Sequence, residues 1–408
     1  MVEKYLFRII YSIAEKTFKA AVAADSRGKT AAALAIVVSA ALFSVMPQVY
    51  LARPAADELT WGARALTPWW FPEEKIADRS LRSPEYQRQY YFAIHHPSVA
   101  RIVYRFALHR AGFYEPPEEA WEYGLGYNDN LALGHRLPYD FRLTLRSVNA
   151  AFFAGAVVFI YLSTALILAN RFLAVVATLP FAFEPTISNG WKAVVPYIGA
   201  DAIFLFFLAA FLYCLLRLKD KGLPGVLALG MIAGITVSTK VNGSFALIGA
   251  LIYFAAYSRG WRRLAWPVIL GAMSVAVFLA LNPIYFGGGL SWAVSVFKDT
   301  LRLMFYLKET TTALDWGTYT RWETIIGAFP YLSFLVPIAI VVVSARREKW
   351  FPVVSCWSAS IVVLNLFLVY MPQPRYAAPV RMAFFVILMA SGLSLLRSSF
   401  ATRRGEAA

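Results

Sequence analysis

The chain has 408 residues, of which 59% are apolar and 16% aromatic, while only 15% are charged; soluble globular proteins run nearer about 45–50% apolar and about 25% charged. The apolar residues fall in blocks of about 16–23 residues, long enough at roughly 1.5 Å per residue to cross a hydrocarbon core of about 30 Å, which excludes a soluble enzyme, a nucleic-acid binder and a secreted disulfide scaffold. The formal charge of +15 must therefore be sorted by membrane side before it says anything about partners.

In chain order, residues 1–29 come first. Leu6, Ile9, Ile10, Ile13 and Phe18 recur at helical spacing opposite Lys4, Arg8, Lys16 and Lys19, which predicts an in-plane helix on an anionic inner leaflet. Glu15, Lys16 and Lys19 interrupt any run that would make this stretch a cleavable signal peptide. Spanning helices are predicted over about 30–50, 147–169, 171–187, 196–216, 223–239, 241–257, 264–282, 325–344, 351–370 and 377–396, ten in all. The third is the weakest, its clean apolar core running only from Phe172 to Phe183 before Glu184-Pro185, which taken alone also fits a re-entrant segment; the charge of the later loops makes it a span. Residues 51–146 form one loop out of scale with the others and hold all four histidines, His95, His96, His109 and His135; a loop that long is usually functional. Within it, Pro97 to Arg110 predicts a helix with Val99, Ile102, Val103 and Phe106 on one side and Arg101, Arg105 and His109 on another. Residues 291–308 repeat the pattern, with Trp292, Phe297, Met304 and Leu307 against Lys298, Arg302 and Lys308. Packing on the lipid surface is the plain alternative for each helix, but two of them roofing one face point to a site at the outer boundary. Cys214 and Cys356 lie in apolar blocks, where free thiols are expected.

Charge fixes the parity. With the N-terminus inside, the inner segments 1–29, 170–171, 217–222, 258–263, 345–350 and 397–408 carry 19 Lys and Arg against six acids, whereas everything else carries 20 against 18. Short basic inner loops are what membrane insertion favours. The expected arrangement is an all-α, multi-pass protein of the cell membrane with both termini cytoplasmic.

Several charges then sit where burial in lipid is costly unless they face water, a partner or a substrate. Glu184, Asp201 and Lys240 lie at or near the outer ends of their spans, as do Asp57-Glu58 after the first span and Arg375-Tyr376 before the last. Structural ion pairs and caps would explain any single one of them; a constellation at one depth and one side calls for chemistry. A transferase that uses a polyprenyl-phosphate sugar needs a carboxylate to take the acceptor hydroxyl's proton and fixed cations to stabilise the departing phosphate, with the lipid tail left in the membrane.

At these residues the sequence resembles the protein O-mannosyltransferase branch of the C-type glycosyltransferase (GT-C) superfamily, with the lipid A aminoarabinose transferases as more distant relatives. Asp57-Glu58-Leu59-Thr60-Trp61-Gly62 is similar to that family's acidic pair and the short stretch after it, which implies Asp57 as general base and Glu58 in support. His96-Pro97-Ser98-Val99-Ala100-Arg101 resembles a His-Pro-Pro-Leu-Gly-Lys pattern that begins a loop helix, with Ser98 and Ala100 in place of Pro and Gly and Arg101 in place of Lys. Arg146 is placed like an arginine important in the family, Asp201 like the acid that begins its fourth span, and Gly234 to Lys240 like a Gly-containing run that ends in Lys. Arg375-Tyr376 before a final span is a feature of the wider superfamily. The resemblance implies a polyprenyl-phosphate monosaccharide donor, mannose-like, inversion at the anomeric carbon, and an acceptor hydroxyl on protein or glycan approaching from outside. Donor contacts fall to Arg146, Lys240, Arg375, Tyr376, Asp201, His96 and Arg101. The chain then divides into a cytoplasmic helix over 1–29, a catalytic transmembrane module over 30–282 including loop 51–146, a second outer loop over 283–324, and terminal spans with a short tail over 325–408.

His95 and His96 are adjacent, so on a helix they point about 100° apart and grip one ion poorly. Asp57 with Glu58 could hold a divalent cation bridging a lipid phosphate, although the resemblance argues against a required metal. The rival reading is a transporter or flippase for a lipid-linked sugar, which normally shows midplane polar residues and paired broken helices; here the polar residues crowd one face. A subunit that keeps the fold without catalysing is a third reading.

Overall fold

The computed structural model describes residues 25–51, 58, 61–62, 65–66, 98–115, 132–183, 198–282, 285, 291, 294, 298 and 348–368, and eight positions between 379 and 391. The predicted in-plane helix before residue 25, most of the second interfacial helix, the span over 325–344 and most of the span over 377–396 lie outside this set. Among the described residues the chain is all-helical: α1 (Asp25–Leu51), α2 (Ser98–Arg110), α3 (Tyr139–Leu168), α4 (Arg171–Phe183), α5 (Asp201–Leu218), α6 (Gly222–Thr239), α7 (Gly243–Tyr257), α8 (Arg262–Leu281) and α9 (Phe351–Leu368). Five of them, α1, α3, α5, α6 and α8, are long and apolar enough to cross a membrane; α4, α7 and α9 are shorter apolar helices.

Short turns join α3 to α4, α5 to α6, α6 to α7 and α7 to α8. α3 and α5 form the centre, each with 56% of its apolar window buried, whereas α8 buries 17% and turns its side chains outward. α3 packs on α1, α4 and α5; α6 packs on α5 and α8; α7 packs on α8 and α9. Aromatic contacts fill the seams, with Phe153 of α3 stacked on Phe181 of α4 at 6.0 Å and Phe152 meeting Phe206 of α5 edge-on at 5.0 Å. Glycines set the closest approach. A Cβ on Gly230 would stand 2.7 Å from the Met273 Cβ, and one on Gly234 2.7 Å from the Ser274 carbonyl oxygen, so α6 and α8 meet nearly backbone to backbone, the small-residue packing that membrane helices use in place of a hydrophobic drive.

α3 starts eight residues earlier than the span predicted from hydropathy. Its 30 residues measure about 45 Å, some 15 Å more than a hydrocarbon core, so its first turns stand clear of the apolar layer. Around that end lies a second, smaller core made of Trp61, Ala65, Leu66, Val99, Ala100, Tyr104, Leu108, Leu137, Phe141, Leu145, Ile198, Ala200 and Ile203. It seats α2 and part of the long loop across one end of the bundle. The opposite ends of the same helices carry Arg171, Arg217, Lys219, Lys221, Arg259, Arg262 and Arg263, with Lys219 bonded to Asp220 at 2.5 Å. Cys214 and Cys356 are free thiols.

The α6–α8 contact predicts that Gly234→Leu lowers the thermal midpoint of the detergent-solubilised protein, overpacking costing about 1–3 kcal/mol or more. Gly271→Leu, whose Cβ would meet open space, leaves the midpoint unchanged. Equal midpoints for both variants would contradict the close approach.

Candidate functional site

The end of the bundle capped by the second core gathers most of the charged residues that the sequence singled out. Arg146, two turns into α3, points at Glu58: its Nε donates to Oε1 at 2.8 Å and a terminal nitrogen donates to Oε2 at 2.9 Å. This two-pronged geometry is the strong form of the arginine–carboxylate pair. A further Arg146 N–H donates to the Val49 carbonyl in the last turn of α1 at 3.2 Å, satisfying a carbonyl that a helix end leaves open. Glu58 also accepts the Ile198 N–H at 3.2 Å. Both side chains are 1% exposed, so this pair turns inward and presents no face to a ligand.

From Ile198 the chain runs directly into a second pair. Asp201 is the first residue of α5 and Lys240 the residue capping the C-terminal end of α6, so each helix dipole favours the charge placed on it. Lys240 Nζ donates to Asp201 Oδ1. Unlike the first pair, these side chains keep 19% and 14% of their surface open. A Cβ on Gly199 would stand 3.8 Å from Trp61 Nε1 and 3.9 Å from Asp201 Oδ2, so the Trp61 indole and the Asp201 carboxylate flank the turn between the two pairs.

α2 supplies the roof. Arg101, Tyr104 and Leu108 share one buried face at helical spacing. The Tyr104 hydroxyl lies 2.6 Å from both Asn149 Oδ1 and the Gly199 carbonyl, and accepts the Gly199 N–H at 3.1 Å. Burial pushes its phenol above the ordinary value, which keeps it a neutral donor. The Trp61 ring packs edge-on against it at 6.3 Å. The spacing groups Phe106 with Val99 on one side of this helix and Arg101 on another. In the structure Val99 and Arg101 are both buried, at 7% and 6% exposure, whereas Phe106 is 64% exposed beneath the Arg110 guanidinium, 5.4 Å from its ring centroid. Tyr104 turns its hydroxyl toward Asn149 of α3 and the turn at Gly199, which favours this rotation.

Of the residues singled out in the sequence, Glu58, Arg101, Arg146, Asp201 and Lys240 meet at one end of the bundle; Asp57, His96, Glu184, Arg375 and Tyr376 lie outside the described residues. Among the described residues, no three His, Cys, Asp or Glu side chains gather as a metal-binding set. Tyr104, Asn149, Ser98, Ser238 and Asn282 were missed. Asn149 and Asn282 carried the available signal, being amides inside or at the end of apolar blocks.

Residues 86–284 match the family model described as dolichyl-phosphate-mannose-protein mannosyltransferase. The fold is similar to two crystal structures of the Archaeoglobus fulgidus oligosaccharyltransferase, one tethered with an acceptor peptide containing the NVT sequon via a disulfide bond and one in complex with Zn and sulfate. Over residues 86–284 the chain is thus similar to the protein mannosyltransferase family, and its fold is similar to that of the archaeal oligosaccharyltransferase. In the structural comparisons the chain is 15% and 14% identical to the archaeal protein, with TM-scores of 0.50 and 0.53, covering 91% and 90% of its own length and 50% of theirs. It thus spans about half the length of the structures it matches. No curated protein is a significant sequence match. The family match covers α2 to α8 and so contains Arg101, Arg146, Asp201 and Lys240; Glu58 precedes it.

The Glu58–Arg146 geometry predicts a strong coupling. Arg146→Met alone leaves a buried carboxylate uncompensated and costs about 3–5 kcal/mol, whereas adding Glu58→Gln recovers much of that loss. A double-mutant cycle on thermal or denaturant midpoints in detergent reads this directly, and additive losses would contradict the pairing.

Proposed function

We propose that the protein is an inverting glycosyltransferase that moves a monosaccharide, mannose-like, from a polyprenyl-phosphate donor to a hydroxyl acceptor on the extracytoplasmic side of the membrane. The observation that carries this reading is the crowding of Glu58, Arg146, Asp201 and Lys240 at one end of the bundle, while the described turns at the other end carry Arg171, Arg217, Lys219, Lys221, Arg259, Arg262, Arg263 and Lys349 against only Asp220 and Glu348. Assigning the cation-rich end to the cytoplasm follows the positive-inside rule, keeps both termini inside and gives the site end to the outer leaflet. The mannosyltransferase family match supports a lipid-linked sugar as donor.

In this reading Asp57, next to Glu58 in the chain, is the general base. The acceptor oxygen attacks the anomeric carbon, the bond from that carbon to the phosphate oxygen breaks with its electron pair on the oxygen, and the hydroxyl proton passes to the Asp57 carboxylate. Lys240, held by Asp201 and open on one side, moves onto the phosphate as its charge grows, stabilising the transition state more than the ground state. Arg375, Tyr376, His96 and Arg101 complete the donor contacts. The buried Glu58–Arg146 pair takes a positioning part: it fixes the segment behind the base. A divalent cation, if held by Asp57, would supply further positive charge for the same electrostatic stabilisation, whereas Glu58, with both oxygens on Arg146, is engaged elsewhere.

The test incubates purified protein with radiolabelled polyprenyl-phosphate mannose and membranes of the host, and follows label into product; protease sensitivity of that product separates a protein acceptor from a glycan. Asp57→Asn is expected to fold normally and lose transfer by about 100-fold or more, the usual worth of general base catalysis. Lys240→Ala is expected to lower kcat as well as raise the donor KM, since its contact with the phosphate strengthens in the transition state. Full transfer by Asp57→Asn would remove it as the base, and movement of intact lipid-linked sugar across sealed vesicles with no transfer would favour a flippase instead.

A further inference from the structure

Two helix ends close on one another beside Lys240. Ser98 opens α2, and its N–H is one of the donors that a helix start leaves without an intrahelical partner. The acceptor comes from 184 residues away: Asn282 Oδ1, at 2.9 Å. Asn282 caps the C-terminal end of α8, and the Ser98 hydroxyl donates back to the carbonyl of Leu281, the last residue of that helix. Each helix thus satisfies the other's open end. The Asn282 amide nitrogen reaches a third element, donating to Ser238 Oγ of α6 at 3.0 Å and to the Phe278 carbonyl at 2.8 Å. Ser98, Ser238 and Asn282 are all buried, at 1%, 0% and 3% exposure.

Position gives this knot its meaning. Ser238 lies two residues before Lys240, and Arg101 lies one turn beyond Ser98. We infer that Asn282 is a positioning residue for the donor-phosphate site, fixing α2, which carries Arg101, against the end of α6 that carries Lys240. An amide is needed because the side chain must accept from Ser98 and donate to Ser238 at once, a combination that neither a carboxylate nor a hydrocarbon offers. Asn282 itself touches no donor; it sets the relative placement of two cations, and placement errors near 1 Å are costly in such sites. The inference rests on the proposed lipid-phosphate donor.

The test compares wild-type protein, Asn282→Ala, Asn282→Asp and Ser238→Ala in nanodiscs, measuring the Kd for polyprenyl phosphate and the KM and kcat for polyprenyl-phosphate mannose. Asn282→Ala is expected to raise Kd and KM about tenfold with kcat within about threefold, the signature of lost uniform binding. Asn282→Asp, which keeps the Ser98 acceptor and loses the donor to Ser238, and Ser238→Ala are expected to move the same constants by less. A lower thermal midpoint with Kd and KM unchanged would overturn the inference in favour of a purely structural cap. If Asn282→Ala does not fold, Ser238→Ala decides, because it loses a single hydrogen bond and leaves the α2 cap in place; a folded Ser238→Ala with unchanged Kd overturns the inference. Wild-type protein that binds polyprenyl phosphate yet transfers no sugar contradicts the proposed function, and the Kd comparison still decides this inference.

Discussion

The buried Glu58–Arg146 pair is the constraint on which the rest of the site depends. A lone charge sealed inside a helical bundle costs several kcal/mol, and neither residue is more than 1% exposed. The two-pronged contact removes most of that cost only while three pieces of chain stay in place: the end of α1 through the Val49 carbonyl, the segment after it through Glu58, and the turn before α5 through the Ile198 N–H. From Ile198 the chain has three residues to reach Asp201, and Tyr104 holds the Gly199 peptide from both its N–H and its carbonyl side. The position of Asp201, and through it of Lys240, is thereby fixed from the interior outward.

The two ion pairs differ in the property that decides what each can do. One is sealed and bidentate, which suits holding a loop; the other is open on one side and rests on the favourable ends of two helix dipoles, which suits releasing a cation to an anionic ligand. The helix roof serves both, since the α2 face that buries Arg101 and Tyr104 also closes the second core over the bundle end. The reciprocal caps between α2 and α8 then make the roof continuous with the membrane helices.

Much of this architecture was legible in the sequence because hydropathy and loop charge act at the scale of whole helices. The predicted boundaries of α5 to α9 lie within five residues of those observed, and the parity that charge required brings Glu58, Asp201 and Lys240 to one end. Finer features were not legible. The early start of α3 follows from a buried salt bridge, which lets Arg146 sit inside a helix where hydropathy alone ends the span. The rotation of α2 is favoured by one hydroxyl with distant partners, a preference that the apolar spacing of Val99, Ile102, Val103 and Phe106 cannot express. Asn282 reads as a helix end and nothing more until Ser98, 184 residues away, is seen against it.

Everything functional in this account requires the end bearing both ion pairs to face away from the cytoplasm, and sided labelling tests that most directly. Tyr114 and Trp261, 69% and 67% exposed, stand at opposite ends of the bundle. In a Cys214→Ala, Cys356→Ala background, a membrane-impermeant maleimide added to sealed right-side-out vesicles should label Tyr114→Cys at once and Trp261→Cys only after permeabilisation. Labelling of Trp261→Cys with protection of Tyr114→Cys would turn the site toward the cytoplasm and contradict the account.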